Sequence, residues 1–330
     1  MLKDAIRTDA YRDFIYTNKD LVKDKVVLDI GCGTGILSMF AARSGAGRVY
    51  AVDNSAILDK ARENVFTNKL DKVISCIKGK VEEVTLPELG NKKVDFIVSE
   101  WMGYTLLYEA MLSSVIVARD KYLAPDGIMA PSHCTIMLAP ICDEDLVLDT
   151  SAFWNDVYGF DMSAMKEKIF EEMLIRHMPL SSLAGEAQRV RTLDLYSIKD
   201  AELGFTESFA LPLNENVDSL DAFVLYFDTF FLASRTAELS KTARADQWPK
   251  DTKDVAFSTG PGPREKETHW RQGVCLIDPG KKGNKIEKHQ TRVLTGTIAY
   301  KMSEERKREV DIEISWSLNG QDRHQKWALK

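Results

Sequence analysis

The segment from Lys25 to Asp53 limits the possible folds more than any other part of the chain. Lys25–Ile30 (KVVLDI) is an apolar run of strand length. Gly31-Cys-Gly-Thr-Gly35 follows it, Ile36–Arg43 carries helical spacing, and Arg48–Asp53 (RVYAVD) is a second strand. A strand, a glycine turn, a helix and a second strand within about 30 residues make a βαβ unit. Its two strands lie parallel and its crossover is right-handed. The alternation continues with a helix over Ser55–Phe66, strands over Val73–Lys78 and Val94–Ser99, and a helix over Met111–Tyr122 stopped by Ala124-Pro-Asp-Gly127. That pattern predicts a parallel sheet that takes its ligand at the carboxyl ends of the strands.

The pattern changes near Pro131. Cys134–Leu138, Gly204–Leu211, Ala222–Phe231, Trp270–Ile277, Val293–Lys301 and Val310–Leu318 are strand-like. In the last, Val310, Ile312, Ile314 and Trp316 alternate with Asp311, Glu313 and Ser315, the period of a half-buried antiparallel strand. The expected organisation is therefore α/β followed by β: residues 1–131 a Rossmann-like domain, residues 132–330 a barrel or sandwich. Residues 148–180 read as helical and aromatic, with Phe153, Trp154, Tyr158 and Phe160. Residues 234–254, polar and charged, read as a mobile loop.

Composition removes several classes. A length of 330 residues suits two domains, and nothing approaches the roughly 18 consecutive apolar residues of a membrane helix. The first residues hold no apolar signal core, so the expectation is a chain that is not secreted. Five cysteines at 32, 76, 134, 142 and 275 form no Cys-x-x-Cys pair, which predicts neither a zinc site nor a disulfide framework. A net charge of −6 argues against a broad electrostatic grip on nucleic acid.

The glycine loop narrows the ligand. Its spacing is Gly-x-Gly-x-Gly, with Ile36 where a dinucleotide fingerprint has its third glycine, and it lacks the Lys-Ser/Thr of a phosphate loop. Asp29 at the strand end repels a pyrophosphate and suits an amino group. Asp53 ends the next strand, where a carboxylate accepts from ribose hydroxyls. A nucleoside with a cationic or zwitterionic tail and no phosphates fits, and S-adenosylmethionine is such a molecule. After the third strand, Glu82 and Glu83 each read equally as an acceptor for an adenine amino group or as a solvated charge.

Ser99-Glu100-Trp-Met-Gly-Tyr104-Thr-Leu-Leu-Tyr-Glu109 follows the fourth strand. Two carboxylates in apolar, aromatic surroundings stay ionised only beside cations. A planar guanidinium offers donors to both, and aromatic rings stack on its face. Glu109 alone also reads as an acid opening the next helix.

The glycine loop, SEWMGYTLLYE, and Phe257-Ser-Thr-Gly with Thr268-His269-Trp270 together resemble a type I protein arginine N-methyltransferase. The N-terminal MLKDAIRTDAYRDFIY matches as well, so the likeness spans essentially the whole chain. YRDFIY and FWNDVYGFDMSAMK are similar to the protein arginine N-methyltransferase 3 branch. The resemblance implies a class I S-adenosylmethionine-dependent methyltransferase domain, a β-barrel domain, and a helical dimerisation arm at about 148–180. It implies methyl transfer to guanidino nitrogens of protein arginines, giving monomethyl- and asymmetric dimethylarginine, with S-adenosylhomocysteine as product and no metal.

By the same resemblance Arg7, Asp29, Gly31, Gly33, Asp53, Val81 and Glu82 bind the cofactor. Glu100 and Glu109 clamp the guanidinium. His269, paired with Asp4, borders the pocket as proton acceptor or as structural brace. Met1, Asp4, Tyr104, Met111 and Trp270 line the substrate side, and Pro131 is a cis-proline. Arg/Gly-rich proteins are the implied substrates, a small-subunit ribosomal protein among them. A homodimer without membrane or direct nucleic-acid contact is implied, in cytoplasm and also nucleus. Family members carry a Tyr-Phe-x-x-Tyr helix just before the segment matched by Met1, and the branch carries a zinc finger; neither lies in these residues. An inactive cofactor-binding scaffold lacking that lid is therefore the alternative reading. A nucleic-acid methyltransferase ranks last, because SEWMGY stands where such enzymes carry an Asn/Asp-Pro-Pro-Tyr loop.

Overall fold

A computed structural model describes residues 2–109, 111–250, 252–279, 284–286, 292–302, 309–318 and 320–329. In chain order the first half contains α1 (Ala5–Thr17), β1 (Val26–Ile30), α2 (Ile36–Arg43), β2 (Arg48–Asp53), α3 (Leu58–Thr67), β3 (Ile74–Lys78), β4 (Val94–Ser99), α4 (Leu112–Tyr122) and β5 (Leu123–Ala130). The strands form one parallel sheet in the order β3-β2-β1-β4-β5. β1 and β4 are buried along nearly their whole length, as their continuous apolar runs require. The strand order reverses between β1 and β4, and a crevice opens at such a switch point beyond the carboxyl ends. The glycine loop leaves β1 there and the two-glutamate loop leaves β4.

Ala130–Pro131 is a cis peptide, as expected. Beyond it the strands are antiparallel: β6 (His133–Ile141), β7 (Leu174–Arg176), β8 (Gln188–Asp194), β9 (Phe205–Pro212), β10 (Ala222–Phe231), β11 (Val255–Ser258), β12 (Gln272–Leu276), β13 (Val293–Met302), β14 (Val310–Leu318) and β15 (Gln321–Leu329). They form two sheets, β7-β12-β10-β6-β8 with β11 on β10, and β15-β14-β13-β9. Phe223 of one sheet meets Trp316 of the other edge to face at 5.3 Å, and β8 adjoins β9, giving the barrel-like core.

Helix α1 joins the halves. Tyr11 and Phe14 are fully buried; both touch Phe231 of β10, at 4.8 and 5.5 Å, and Phe14 also stacks on Phe96 of β4. Each such ring contributes about 1.5–3 kcal/mol by leaving water. The Tyr11 hydroxyl donates to the Ser99 carbonyl at 2.9 Å, fixing the residue before Glu100.

Several expectations need correction. The helix expected over Ser55–Phe66 starts at Leu58, because Asp53 Oδ1 accepts from the Ser55 amide and holds those residues in a turn. The helix before Ala124–Gly127 ends at Tyr122, as expected, but that stretch is not a bare stop signal. It lies inside β5, where the register with β4 shifts and Pro125 and Asp126 bulge outward. The segment 148–180 is only partly helical. One short helix, α5 (Glu144–Thr150), is followed by 3-10 turns at Ala152–Asn155 and Ser163–Lys166, with Tyr158 and Gly159 in left-handed conformations between them. β5, β7, β8, β11 and β15 have no counterpart in the sequence pattern. β15 is polar along most of its length, as an edge strand can be. Within the segment expected to be a mobile loop, 234–254, two positions are tied to β10: the Ala245 amide donates to buried Asp228 and Trp248 packs on Phe230.

Candidate active site

Gly31, Gly33 and Gly35 all have φ between 52° and 84°, the left-handed region that glycine enters without a Cβ clash. A Cβ on Gly31 would also fall 2.4 Å from Met111 Cε, the far end of a flexible side chain that would have to move, so the left-handed φ is the firmer bar there. Beneath the loop, Asp29 Oδ2 accepts from the Ser38 amide at 3.0 Å and from its hydroxyl at 2.6 Å. It supplies the N-terminal cap that Gly35, without a side chain, cannot give α2. Burial pushes the Asp29 carboxyl up to about 6, against the pull of Ser38. Its Oδ1 is buried without a partner. Asp29 therefore supports the loop from below and does not line the pocket, a correction to its expected place.

The glutamate loop has the same geometry with different residues. Thr105, Leu106 and Glu109 have φ of 50°, 81° and 83°. Each non-glycine residue there costs on the order of 1–3 kcal/mol and persists only under outside constraint. Gly103 and Leu106 exchange backbone hydrogen bonds at 3.0 and 3.1 Å, closing the turn. Trp270 Nε1 donates to the Met102 carbonyl at 2.9 Å, holding the loop from the second half.

The two glutamates are not equivalent. Glu100 is buried and its Oε2 lies 3.1 Å from the Arg7 guanidinium, with both side chains 5% exposed or less. Burial raises the Glu100 carboxyl above the usual range while the Arg7 charge opposes the rise. Glu109 is exposed, so the desolvated pair expected from sequence is one buried and one open carboxylate. Arg7 was expected on the cofactor; the structure places it beneath Glu100, off the pocket wall. Its Nε is buried and without a partner.

His269 faces the same space. Asp4 Oδ2 accepts from the His269 amide at 2.8 Å and lies 2.7 Å from its Nδ1, while Asp4 Oδ1 caps α1 at the Arg7 amide. Burial raises the Asp4 carboxyl, but hydrogen bonds from His269 and Arg7 outweigh it and leave the group below its usual value. Asp4 stands behind His269 rather than in the wall. Trp270 is buried against Phe257 and Phe227 and touches the pocket beside His269.

A cavity of about 1420 Å³ unites these elements. Gly31, Gly33, Asp53, Val81, Glu82, Glu100, Tyr104, Glu109, Met111, His269 and Trp270 all line it. Met1 lies outside the described residues. Asp53 accepts from the Gly33 amide at 2.8 Å, and Glu82 accepts from the Ser114 hydroxyl at 2.5 Å. The volume exceeds the roughly 300–1000 Å³ of a single small-molecule pocket, leaving space for two reactants. Bare glycine backbone at Gly31 and Gly33, with the acids Asp53 and Glu82 on the same wall, fits a nucleoside without phosphates. The sequence reading missed Tyr11, Ser113, Ser114 and Asp200. The serines stand one and two positions beyond Leu112 in the first turn of α4, inside the helix expected from Met111, and their residue type alone does not mark them as cavity-lining.

Comparison with known proteins gives the lineage. Residues 132–321 match the model of the arginine methyltransferase oligomerization subdomain, and residues 15–137 match that of ribosomal protein L11 methyltransferase. The chain is 40% identical to ribosomal protein arginine N-methyltransferase rmt3 of Schizosaccharomyces pombe, over 100% of its own length and 57% of that protein's. It is thus little more than half as long as rmt3. It is 43% identical to protein arginine N-methyltransferase 1 of the same yeast, over 97% of this chain and 86% of the relative. Among solved structures, the Trypanosoma brucei PRMT1 enzyme–prozyme heterotetrameric complex with AdoHcy superposes with a TM-score of 0.85 at 36% identity, covering 100% of this chain and 96% of that one. Arabidopsis thaliana protein arginine methyltransferase 10 gives 0.81 at 28%, with the same coverage.

Proposed function

The chain belongs to the protein arginine N-methyltransferase family, and from that premise we propose that it methylates guanidino nitrogens of protein arginines, giving monomethyl- and asymmetric dimethylarginine. The observation that carries this reading is the meeting of a phosphate-free nucleoside loop and two glutamates on one cavity, at the switch point of the sheet.

Gly31, Gly33, Asp53, Val81 and Glu82 would hold S-adenosylmethionine, Asp53 as acceptor for the ribose and Glu82 for the adenine. When bound, that cofactor supplies a methyl group on a positive sulfur, already activated for transfer. The chain's own residues prepare the other partner. A guanidinium is a poor nucleophile, being protonated and delocalised up to a pKa above about 12. Glu100 and Glu109 accept from separate guanidinium nitrogens, draw positive charge toward themselves, and leave the third richer in electrons. Arg7, 3.1 Å from Glu100, aims that carboxylate and opposes the rise that burial imposes on it. Glu109, open to solvent, takes the released proton or passes it to His269. Holding the nucleophile in line is a positioning effect worth several kcal/mol. Met111, lying over Gly31, shapes the side from which a second methyl enters, which supports an asymmetric product.

The arm carries the exposed apolar residues expected of an interface: Phe153, Tyr158, Phe160 and Met165 are 54%, 98%, 70% and 54% exposed. The chain forms a homodimer through them, and Arg/Gly-rich proteins are its substrates. Mass spectrometry of a Gly/Arg-rich peptide incubated with the chain and S-adenosylmethionine tests the reading. Asymmetric dimethylarginine supports it; symmetric product or an unmodified peptide overturns it in favour of another type or a scaffold.

A further inference from the structure

We propose that Gln272 is a positioning residue for the His269 loop, one that locks this loop to the return strand of the arm segment. The inference deepens the methyltransferase reading and rests on it for its catalytic consequence.

Gln272 opens β12 directly after His269-Trp270-Arg271 and is 2% exposed. Its Oε1 accepts from the Met178 amide at 2.7 Å. Its Nε2 donates to the Thr259 carbonyl at 2.6 Å and to the Gly260 carbonyl at 3.2 Å. One amide thus joins three stretches of chain: the start of β12, the end of β11, and the residues just after β7. Gly262 closes the same junction by donating to the Met178 carbonyl at 3.1 Å. Next to it, Gly273 packs so tightly that a Cβ would lie 2.4 Å from Thr105 of the glutamate loop and 2.5 Å from Met173 before β7. Gln272 stands where both catalytic loops and the arm's return strand meet.

The loop needs such a clamp. Between Gly260 and Gln272 its tip, residues 263–266, is exposed. Arg271 is held at φ 51°, a left-handed conformation that a non-glycine residue disfavours. If the junction loosens, Arg271 relaxes toward negative φ and turns the preceding backbone. His269 then leaves Asp4. The Trp270 indole is held independently by its stack on Phe257, at 5.9 Å and 11° between planes. His269 is tied to Asp4 through its amide at 2.8 Å and its imidazole at 2.7 Å, and its ring meets Trp270 at 4.0 Å; the Asp4 contacts are the ones a turn of the backbone at residue 271 pulls apart.

The test uses the whole chain with Gln272→Met, which keeps the shape and removes all three hydrogen bonds, and Gln272→Glu, which keeps the acceptor and removes both donors. Hydrogen exchange is measured over residues 264–271, with thermal unfolding as the check on folding. Exchange there is expected to rise about tenfold in both variants, with the parallel sheet unchanged. In turnover, kcat falls about tenfold while the Kd for S-adenosylmethionine stays within twofold. Gln272→Met has no further effect on kcat in a His269→Ala background, a non-additivity that a general packing defect does not produce. Unchanged exchange over 264–271 overturns the proposal, as does an additive effect in the double variant. Absence of turnover in the unaltered chain defeats the methyltransferase reading instead, and exchange then decides the role of Gln272 alone. Should Gln272→Met fail to fold, Gln272→Glu carries both measurements.

Discussion

Across one cavity, two loops reach the same backbone region by opposite means. The loop after β1 uses Gly31, Gly33 and Gly35 at its left-handed positions; the loop after β4 uses Thr105, Leu106 and Glu109. The first is relaxed by composition and needs little from elsewhere. The second is strained and is held by distant residues: Trp270 on Met102, Arg7 on Glu100, Gly273 against Thr105. The difference follows from their tasks. A cofactor loop needs bare backbone close to its ligand. A loop that aims carboxylates needs side chains at those positions, so other parts of the fold must offset its strain.

The largest test of that contrast is Glu100→Ala. It leaves the Arg7 charge buried and alone, which is expected to cost about 3–5 kcal/mol of stability in urea unfolding and to abolish turnover. A variant as stable as the unaltered chain breaks the account of an externally held loop.

Next is the acid beneath the relaxed loop. The Asp29 carboxyl is raised from its ordinary 3.8 to about 6, so the folded state keeps a proton that the unfolded state has lost. Its contribution to stability is full below pH 3.8 and declines as pH rises to about 6, by up to roughly 3 kcal/mol. Asp29→Asn should flatten the stability profile in that window, as read by urea midpoints; an unchanged slope contradicts the assignment.

Within the glycine loop two substitutions should separate. Gly31→Ala meets both the φ penalty and Met111 Cε, and should weaken S-adenosylmethionine binding by more than tenfold, about 1.4 kcal/mol. Gly33→Ala has nothing within 4 Å and faces only the conformational penalty. Equal losses in calorimetric titration would show that Met111 yields freely.

Smallest is Glu109→Gly. An exposed residue at φ 83° gains stability, about 1 kcal/mol, when its Cβ is removed. The variant should melt slightly higher and be inactive. A lower melting temperature would mean that the glutamate loop is not strained at this point.

Much of this was legible in the sequence, where structure is local. α2, β2, β4, β10 and β14 follow apolar runs or alternation that a short window reveals, and the glycine loop announces its own backbone. The glutamate pair and the His269 loop were found from residue type. Their arrangement was not legible. Arg7 beneath Glu100 joins residues 93 positions apart; the pairing of Asp4 with His269, 265 positions apart, was expected only through the family resemblance, and it is present. Asp29 looked like a ligand contact because it ends a strand, yet its partner is Ser38, nine residues on. β15 escaped because an edge strand has little apolar pattern to show. The arm read as helix because aromatic spacing does not reveal that Tyr158 and Gly159 break the chain direction.

The most direct measurement is kcat together with the Kd for S-adenosylmethionine in Glu109→Gln, which removes one charge from the open carboxylate and little else. A division of labour between the loops predicts an affinity within twofold of the unaltered chain and a kcat lower by about a hundredfold or more. Turnover near normal, or affinity lost along with turnover, would contradict it.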